Sequence, residues 1–258
     1  MRFVVLLLAA VPAFAEPVDV ELVLGVDSSR SMDYDELTLQ REGYARAFEH
    51  PSFIHVIRAG LQQQIAVTYF DWGGPGIHDV ILPWTIIRSE DDAAQAAATL
   101  RAADIKNLGG TGISGAIVKG IELIEANDIQ SDRQIIDISG DGPNNVGMPV
   151  TKARDQAAAK GIEVNGLPLM LKQPGSTYNI RDLDIYYRDC VITGPAAFVI
   201  LVEEVDRLAI SILQKLVLEV AGRQSEPHLW KAAQTDCLIG EKLRRDRVFD
   251  IFDPTQTN

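Results

Sequence analysis

Residues 20–31 read Val20-Glu21-Leu22-Val23-Leu24-Gly25-Val26-Asp27-Ser28-Ser29-Arg30-Ser31. The largely apolar run Val20 to Val26 reads as a central strand, and it ends in a carboxylate followed by hydroxyls at every second position. Side chains of an extended chain alternate between two sides. Asp27, Ser29 and Ser31 therefore share one face and can converge on an ion, while Ser28 and Arg30 point away. Gly109-Gly110-Thr111-Gly112, before a helical pattern, and Ser139-Gly140-Asp141-Gly142, after a second apolar run, extend the set. Asp27, Ser29, Ser31, Thr111 and Asp141 make a hard, all-oxygen ligand group suited to Mg²⁺, Mn²⁺ or Ca²⁺ rather than zinc, which favours Cys and His. Helix caps at Asp27, Ser29 and Thr111 and a plain turn at Gly140–Gly142 would each account for one segment. Their joint occurrence in this order favours the ion.

Strand and helix patterns alternate along the chain. Helix is expected over 34–60, broken near Pro51, then strands at Gln64–Phe70 and Val80–Ile87. The glycine-rich link between those strands is too short for a parallel crossover, so they should pair antiparallel. An Ala-rich helix over 89–105 opens on Ser89 and three acids, and Ile113, Ala116, Ile117, Gly120, Ile121 and Ile124 keep helical spacing. Further strands are expected at Gln134–Ser139, Ile162–Leu169 and Ala197–Val202, with helices over 150–160, around 181–189, and from Val205 to a stop at Gly222. Apolar strands separated by helices imply an α/β fold: a six-stranded, mostly parallel sheet with one antiparallel edge strand and helices on both faces. Ligands of open α/β sheets collect beyond the carboxyl ends of strands where the strand order reverses, which is where Asp27 and Asp141 fall.

The first fifteen residues stand apart. Arg2, the nine apolar residues Phe3–Val11 and the small-x-small triplet Ala13-Phe14-Ala15 form a signal-peptide pattern, too short to span a bilayer. The expected organisation is a leader over 1–15, a domain over 16–222 and an extension over 223–258, with the mature protein exported, periplasmic or secreted. Loss of the leader moves the net charge from −12 to −13, which argues against nucleic acid and anionic membranes as partners. Export permits a disulfide between the two cysteines, Cys190 and Cys237, which would tie the tail to the domain. In the tail, Trp230, Cys237, Leu238 and Phe249–Phe252 could pack a helix or hairpin, and Glu241–Arg247 reads as a solvated charged face.

At these motifs the chain resembles von Willebrand factor type A domains. Asp27-Ser28-Ser29-Arg30-Ser31 matches their DxSxS signature, Thr111 their lone threonine and Asp141 their distal aspartate, over about residues 18–222. More narrowly, the chain is similar to exported bacterial members without assigned function. The resemblance implies a Rossmann-like fold and a metal-ion-dependent adhesion site. There Ser29, Ser31 and Thr111 bind the ion, Asp27 and Asp141 bind it directly or through water, and a Glu or Asp of a partner protein completes the octahedron. It implies binding without turnover.

Other chemistry has weaker support. An aspartyl phosphatase would carry a second carboxylate where Ser29 stands, and the Gly109–Gly112 loop lacks the lysine of a P-loop. A metal-assisted hydrolase would need a general base, but no His or Lys lies in the motif segments. A structural domain with a vestigial site would bind no metal. His50, His55, His78 and His228 lack ligand spacing, Trp72 and Trp84 read as packing residues, and Asp71 reads as a loop cap that could instead join the rim of the site.

Overall fold

The computed structural model describes residues 17–172, 180–222 and 235–252; the expected leader, His228 and Trp230 lie outside them. Strand β1 (Glu21–Asp27) is followed by α1 (Tyr34–Glu49), α2 (Pro51–Arg58), β2 (Ile65–Trp72), β3 (His78–Ile87) and α3 (Glu90–Ala102). Then come α4 (Ile113–Glu125), β4 (Gln134–Gly140), α5 (Val150–Ala159), β5 (Glu163–Pro168) and a short α6 (Leu183–Tyr186) running into a π-helical turn (Tyr187–Val191). Helices α7 (Leu208–Ala221) and α8 (Ile239–Phe252) complete the order. The break at Pro51 is real: His50 adopts an extended backbone between α1 and α2, as a residue before proline tends to.

The sheet runs β3-β2-β1-β4-β5, and only the β2–β3 pair is antiparallel. Chain order reverses across β1, which has β2 on one side and β4 on the other, so the carboxyl ends of β1 and β4 open a crevice. Leu22, Leu24 and Val26 of β1 pack under α1, α2, α3 and α7, while Val23 joins Ile136 and Ile138 under α4 and α5. At the centre, a Cβ on Gly25 would meet Ile138 and Phe70 at 3.0 Å, so a larger residue there would press on both side chains. Helix α7 ends as expected at Gly222, whose φ of 63° suits a residue without Cβ. Among the described residues, no helix is long and apolar enough to cross a membrane.

Among the described residues the sheet has five strands, not six. Residues 197–202 run beside β5 but make only isolated pairs, Gly166 with Val199 and Leu169 with Val202. Pro168 has no N–H to donate to a continuous ladder, and the side chain of Asn165 takes the Phe198 N–H at 3.0 Å. The edge strand β3 carries Pro83, and its pairing with β2 shifts register between Val67 and Phe70. The tail contributes the helix α8, and a Cys190–Cys237 disulfide joins it to the domain.

The strands are not apolar throughout. Asp137 of β4 lies buried 2.8 Å from Lys215 Nζ of α7, which also meets Glu219 at 2.5 Å. Asn165 of β5 donates to the same Glu219 oxygen at 3.2 Å. Burial and the Asp137 charge push Glu219 up to about 8, against the pull of Lys215. Lys215→Met would leave two buried carboxylates without their cation. It should cost about 3–5 kcal/mol, read by chemical denaturation; a loss under 1 kcal/mol would show that the cluster carries no such dependence.

The sign of the Glu219 shift fixes a second expectation. The folded state holds this proton more tightly than the unfolded chain, so the contribution is full below about 4.5 and is lost as pH rises through about 8. Denaturation midpoints across that range should fall less steeply in Glu219→Gln than in the unsubstituted protein. Equal slopes would contradict this assignment.

Candidate functional site

The site starts where β1 ends. Asp27 Oδ1 accepts the Ser29 N–H at 2.7 Å, and a Ser29-to-Met32 backbone bond of 3.1 Å closes the following turn. The segment thus leaves the extended conformation after Asp27, contrary to the alternation argument, yet the predicted hydroxyls still meet: Ser29 Oγ and Ser31 Oγ lie 2.9 Å apart. Ser31 Oγ donates to Asp141 Oδ1 at 2.6 Å, and Asp141 N–H points at Asp27 Oδ2 at 3.4 Å. These bonds link Asp27, Ser29, Ser31 and Asp141 in one cluster at the ends of β1 and β4. Ser28 is turned aside, bonded through its backbone to Trp72 and Leu108, and Arg30 is exposed.

Thr111 is buried, and its loop is tied to both neighbours. Leu108 N–H reaches Ser28 O at 2.7 Å, Arg30 N–H reaches Gly109 O at 2.8 Å, and Asn107 Nδ2 reaches Ser29 O at 3.1 Å. On the other side Asn145 accepts the Thr111 N–H through Oδ1 at 3.2 Å and donates its own N–H to Thr111 O at 2.9 Å. Asn144 Oδ1 accepts the Ser114 N–H at 2.9 Å, completing the start of α4 in place of a capping side chain on Gly112. Sequence reasoning missed both asparagines, because a Gly-Pro-Asn-Asn stretch reads as any polar turn.

The cluster is electrostatically incomplete. Burial, and then the facing Asp141 charge, push the Asp27 carboxyl well above the usual carboxylate range, only partly offset by Ser29. Burial likewise raises Asp141, against the hydrogen bond from Ser31 and the charge of Lys172. Asp141 Oδ2 is buried with no hydrogen-bond partner among the described residues. Lys172, the nearby cation, is engaged by Glu36 Oε2 at 2.5 Å and by the Ser31 carbonyl. Two clustered carboxylates, an orphaned oxygen and adjoining hydroxyls match the donor chemistry of a small hard dication. Among the described residues, no group of three or more His, Cys, Asp or Glu could hold a metal. Behind the cluster a Cβ on Gly140 would stand 2.9 Å from both Asp27 Oδ2 and Tyr187 Oη, so any other residue would displace the carboxylate or the phenol.

Asp71 belongs elsewhere: it is buried within β2 and bound by Arg41 Nη2 at 2.5 Å, so it is neither a loop cap nor part of the rim. Burial pushes it up to about 6 despite that partner. His50 caps α2 by accepting the Ser52 N–H, Trp84 donates to Leu123 O at 3.0 Å, and Trp72 is fully buried.

A family model described as "Protein of unknown function (DUF1194)" matches residues 17–224. No curated protein matches the chain. Among solved structures, the pilus adhesin SpaC from Lactobacillus rhamnosus GG is 12% identical with a TM-score of 0.56, covering 79% of this chain and 31% of that one. A von Willebrand factor type A protein from Catenulispora acidiphila is 14% identical with a TM-score of 0.55, covering 79% and 43%. Proximal thread matrix protein 1 from the mussel byssus is 16% identical with a TM-score of 0.52, covering 80% and 49%. The chain thus spans about a third to a half of these proteins, and it shares the type A fold with them.

The raised Asp27 and Asp141 carboxyls set an expectation for the protein in chelator. Burial makes both groups hold a proton more tightly in the folded chain than in the unfolded one, so their contribution to stability falls as pH rises from the usual carboxylate range. Asp141→Asn keeps an acceptor for Ser31 and removes one of the two negative charges. Its thermal midpoint at pH 7 in chelator should be at or above that of the unsubstituted protein; a clear fall would mean that the charges are already compensated.

Proposed function

The chain belongs to the DUF1194 family, and we propose that it is an exported module that binds a protein partner through a divalent cation. Asp27, Ser29, Ser31, Thr111 and Asp141 would supply the oxygen ligands for the ion, Mg²⁺ before Mn²⁺ or Ca²⁺. One observation carries the reading: two buried carboxylates, linked through the Ser29 N–H and the Ser29 and Ser31 hydroxyls, cluster at the sheet crevice, where Asp141 Oδ2 has no hydrogen-bond partner among the described residues. A fold of this kind serves many ends, so the side chains rather than the resemblance support the function. One protein of like fold is a pilus adhesin, in keeping with a role in contact.

The bound ion supplies an electrophilic position for an outside oxygen. The three hydroxyls are neutral, so at most two carboxylate charges offset the dication. A Glu or Asp of the partner protein is the fitting ligand. The acidic chain, at −12 overall, would otherwise repel such a surface, which makes the ion decisive for contact. Binding rather than turnover fits the surroundings, since Lys172 is occupied by Glu36 and, among the described residues, no histidine bonds to the cluster. The leader pattern at 1–15 and the disulfide support export to an oxidising compartment.

Mg²⁺ at about 100 times its Kd should stabilise the protein by about 2.7 kcal/mol, seen as a rise of several degrees in Tm. Asp27→Ala, Asp141→Ala and Thr111→Ala should lose that rise and the calorimetric binding signal while still folding. Capture from periplasmic extract should return a partner that is released by chelator, and changing one partner carboxylate to its amide should abolish the contact. A partner held equally well without metal would overturn the proposal.

A further inference from the structure

The extension beyond the matched family region touches the domain beside the candidate site. Cys237 is bonded to Cys190 on the π-helical turn, and the Thr235 hydroxyl donates to Asp189 on the same turn. From this anchor α8 starts directly against Asn144: a Cβ on Gly240 would lie 2.1 Å from the Asn144 carbonyl oxygen, an approach that only glycine permits. The next residue, Glu241, accepts from Asn144 Nδ2 at 2.7 Å, and Arg244 Nη1 reaches the Asn145 carbonyl at 3.5 Å.

Asn144 and Asn145 are the residues that hold the Thr111 loop. Asn144 is fully buried and its amide is fully engaged: Oδ1 accepts from Ser114, while Nδ2 donates to Met148 O at 3.1 Å and to Glu241. Its own N–H donates to Tyr186 Oη at 3.1 Å, on the helix that leads into the disulfide-bearing turn. Without Glu241 one buried donor would lose its acceptor, and the loop that carries it would shift to find another. Asn145, the next residue, forms the paired bonds to Thr111.

We infer that residues 235–247 act as a covalently anchored brace that positions Thr111 for the cation, with Glu241, Asn144 and Asn145 as positioning residues. The inference rests on the metal reading above. Glu241 acts through the Asn144 amide and not as a ligand, and Gly240 permits the helix to come close enough for that bond.

Mg²⁺ calorimetry on the full-length, disulfide-bonded protein tests this, with the Tm in chelator measured alongside. Glu241→Ala should weaken Mg²⁺ affinity about tenfold or more, the usual effect of losing a partner that orients a metal ligand. Glu241→Gln keeps an oxygen for Asn144 Nδ2 and should retain affinity, which separates the hydrogen bond from mere charge. Gly240→Val should weaken affinity as Glu241→Ala does; if it fails to fold, the Glu241 pair decides. Unchanged affinity in Glu241→Ala overturns the brace and leaves the site standing. Equal loss in Glu241→Gln and Glu241→Ala also overturns it. Absence of Mg²⁺ binding in the unsubstituted protein overturns the site itself, and the brace with it.

Discussion

Two carboxylates of like charge are held together out of water at the point where the sheet changes direction. Asp27 is the last residue of β1 and Asp141 follows the last residue of β4, and these strands are neighbours, so the topology alone forces the pair into one crevice. Isolated, such a pair opposes folding, because burial and mutual repulsion both disfavour the charged forms. The surrounding structure is arranged around that cost. Ser29 N–H and Ser31 Oγ each donate to one of the carboxylates, Gly140 makes room behind them, and Lys172 stands nearby without bonding to either. The strain is held by apolar packing on both faces of the sheet, chiefly the α1–α7 side and the α4–α5 side.

Much of this was legible in the chain. The run from Val20 to Asp27 reads as a strand because it is buried on both faces, and the short glycine-rich link after Trp72 allows only an antiparallel partner. The meeting of Ser29, Ser31 and Asp141 was foreseen for a partly wrong reason. Alternation along an extended strand was expected to aim the hydroxyls, but the Asp27 carboxylate draws the Ser29 N–H into a turn that brings them together instead.

What escaped the sequence were groups whose role depends on distant partners. Asp137, Asn165, Lys215 and Glu219 form a buried cluster across β4, β5 and α7, and a lone charge within an apolar pattern does not announce a partner some 78 residues away. Asn144 and Asn145 fall in the same class: their bonds that shape the site run to Ser114, Thr111 and Glu241, none of them near in sequence. The sixth strand failed for a local cause that could have been weighed, since Pro168 sits in its intended neighbour.

The open margin of the sheet has its own consequence. Among the described residues, strand β3 leaves one row of backbone groups unmatched by any further strand, the kind of rim along which chains stick to one another. Pro83 removes a donor from that strand, and the shifted register of its pairing with β2 bends it away from flatness. A second molecule therefore finds no straight template for strand addition. Self-association by that route is discouraged at the margin of the sheet.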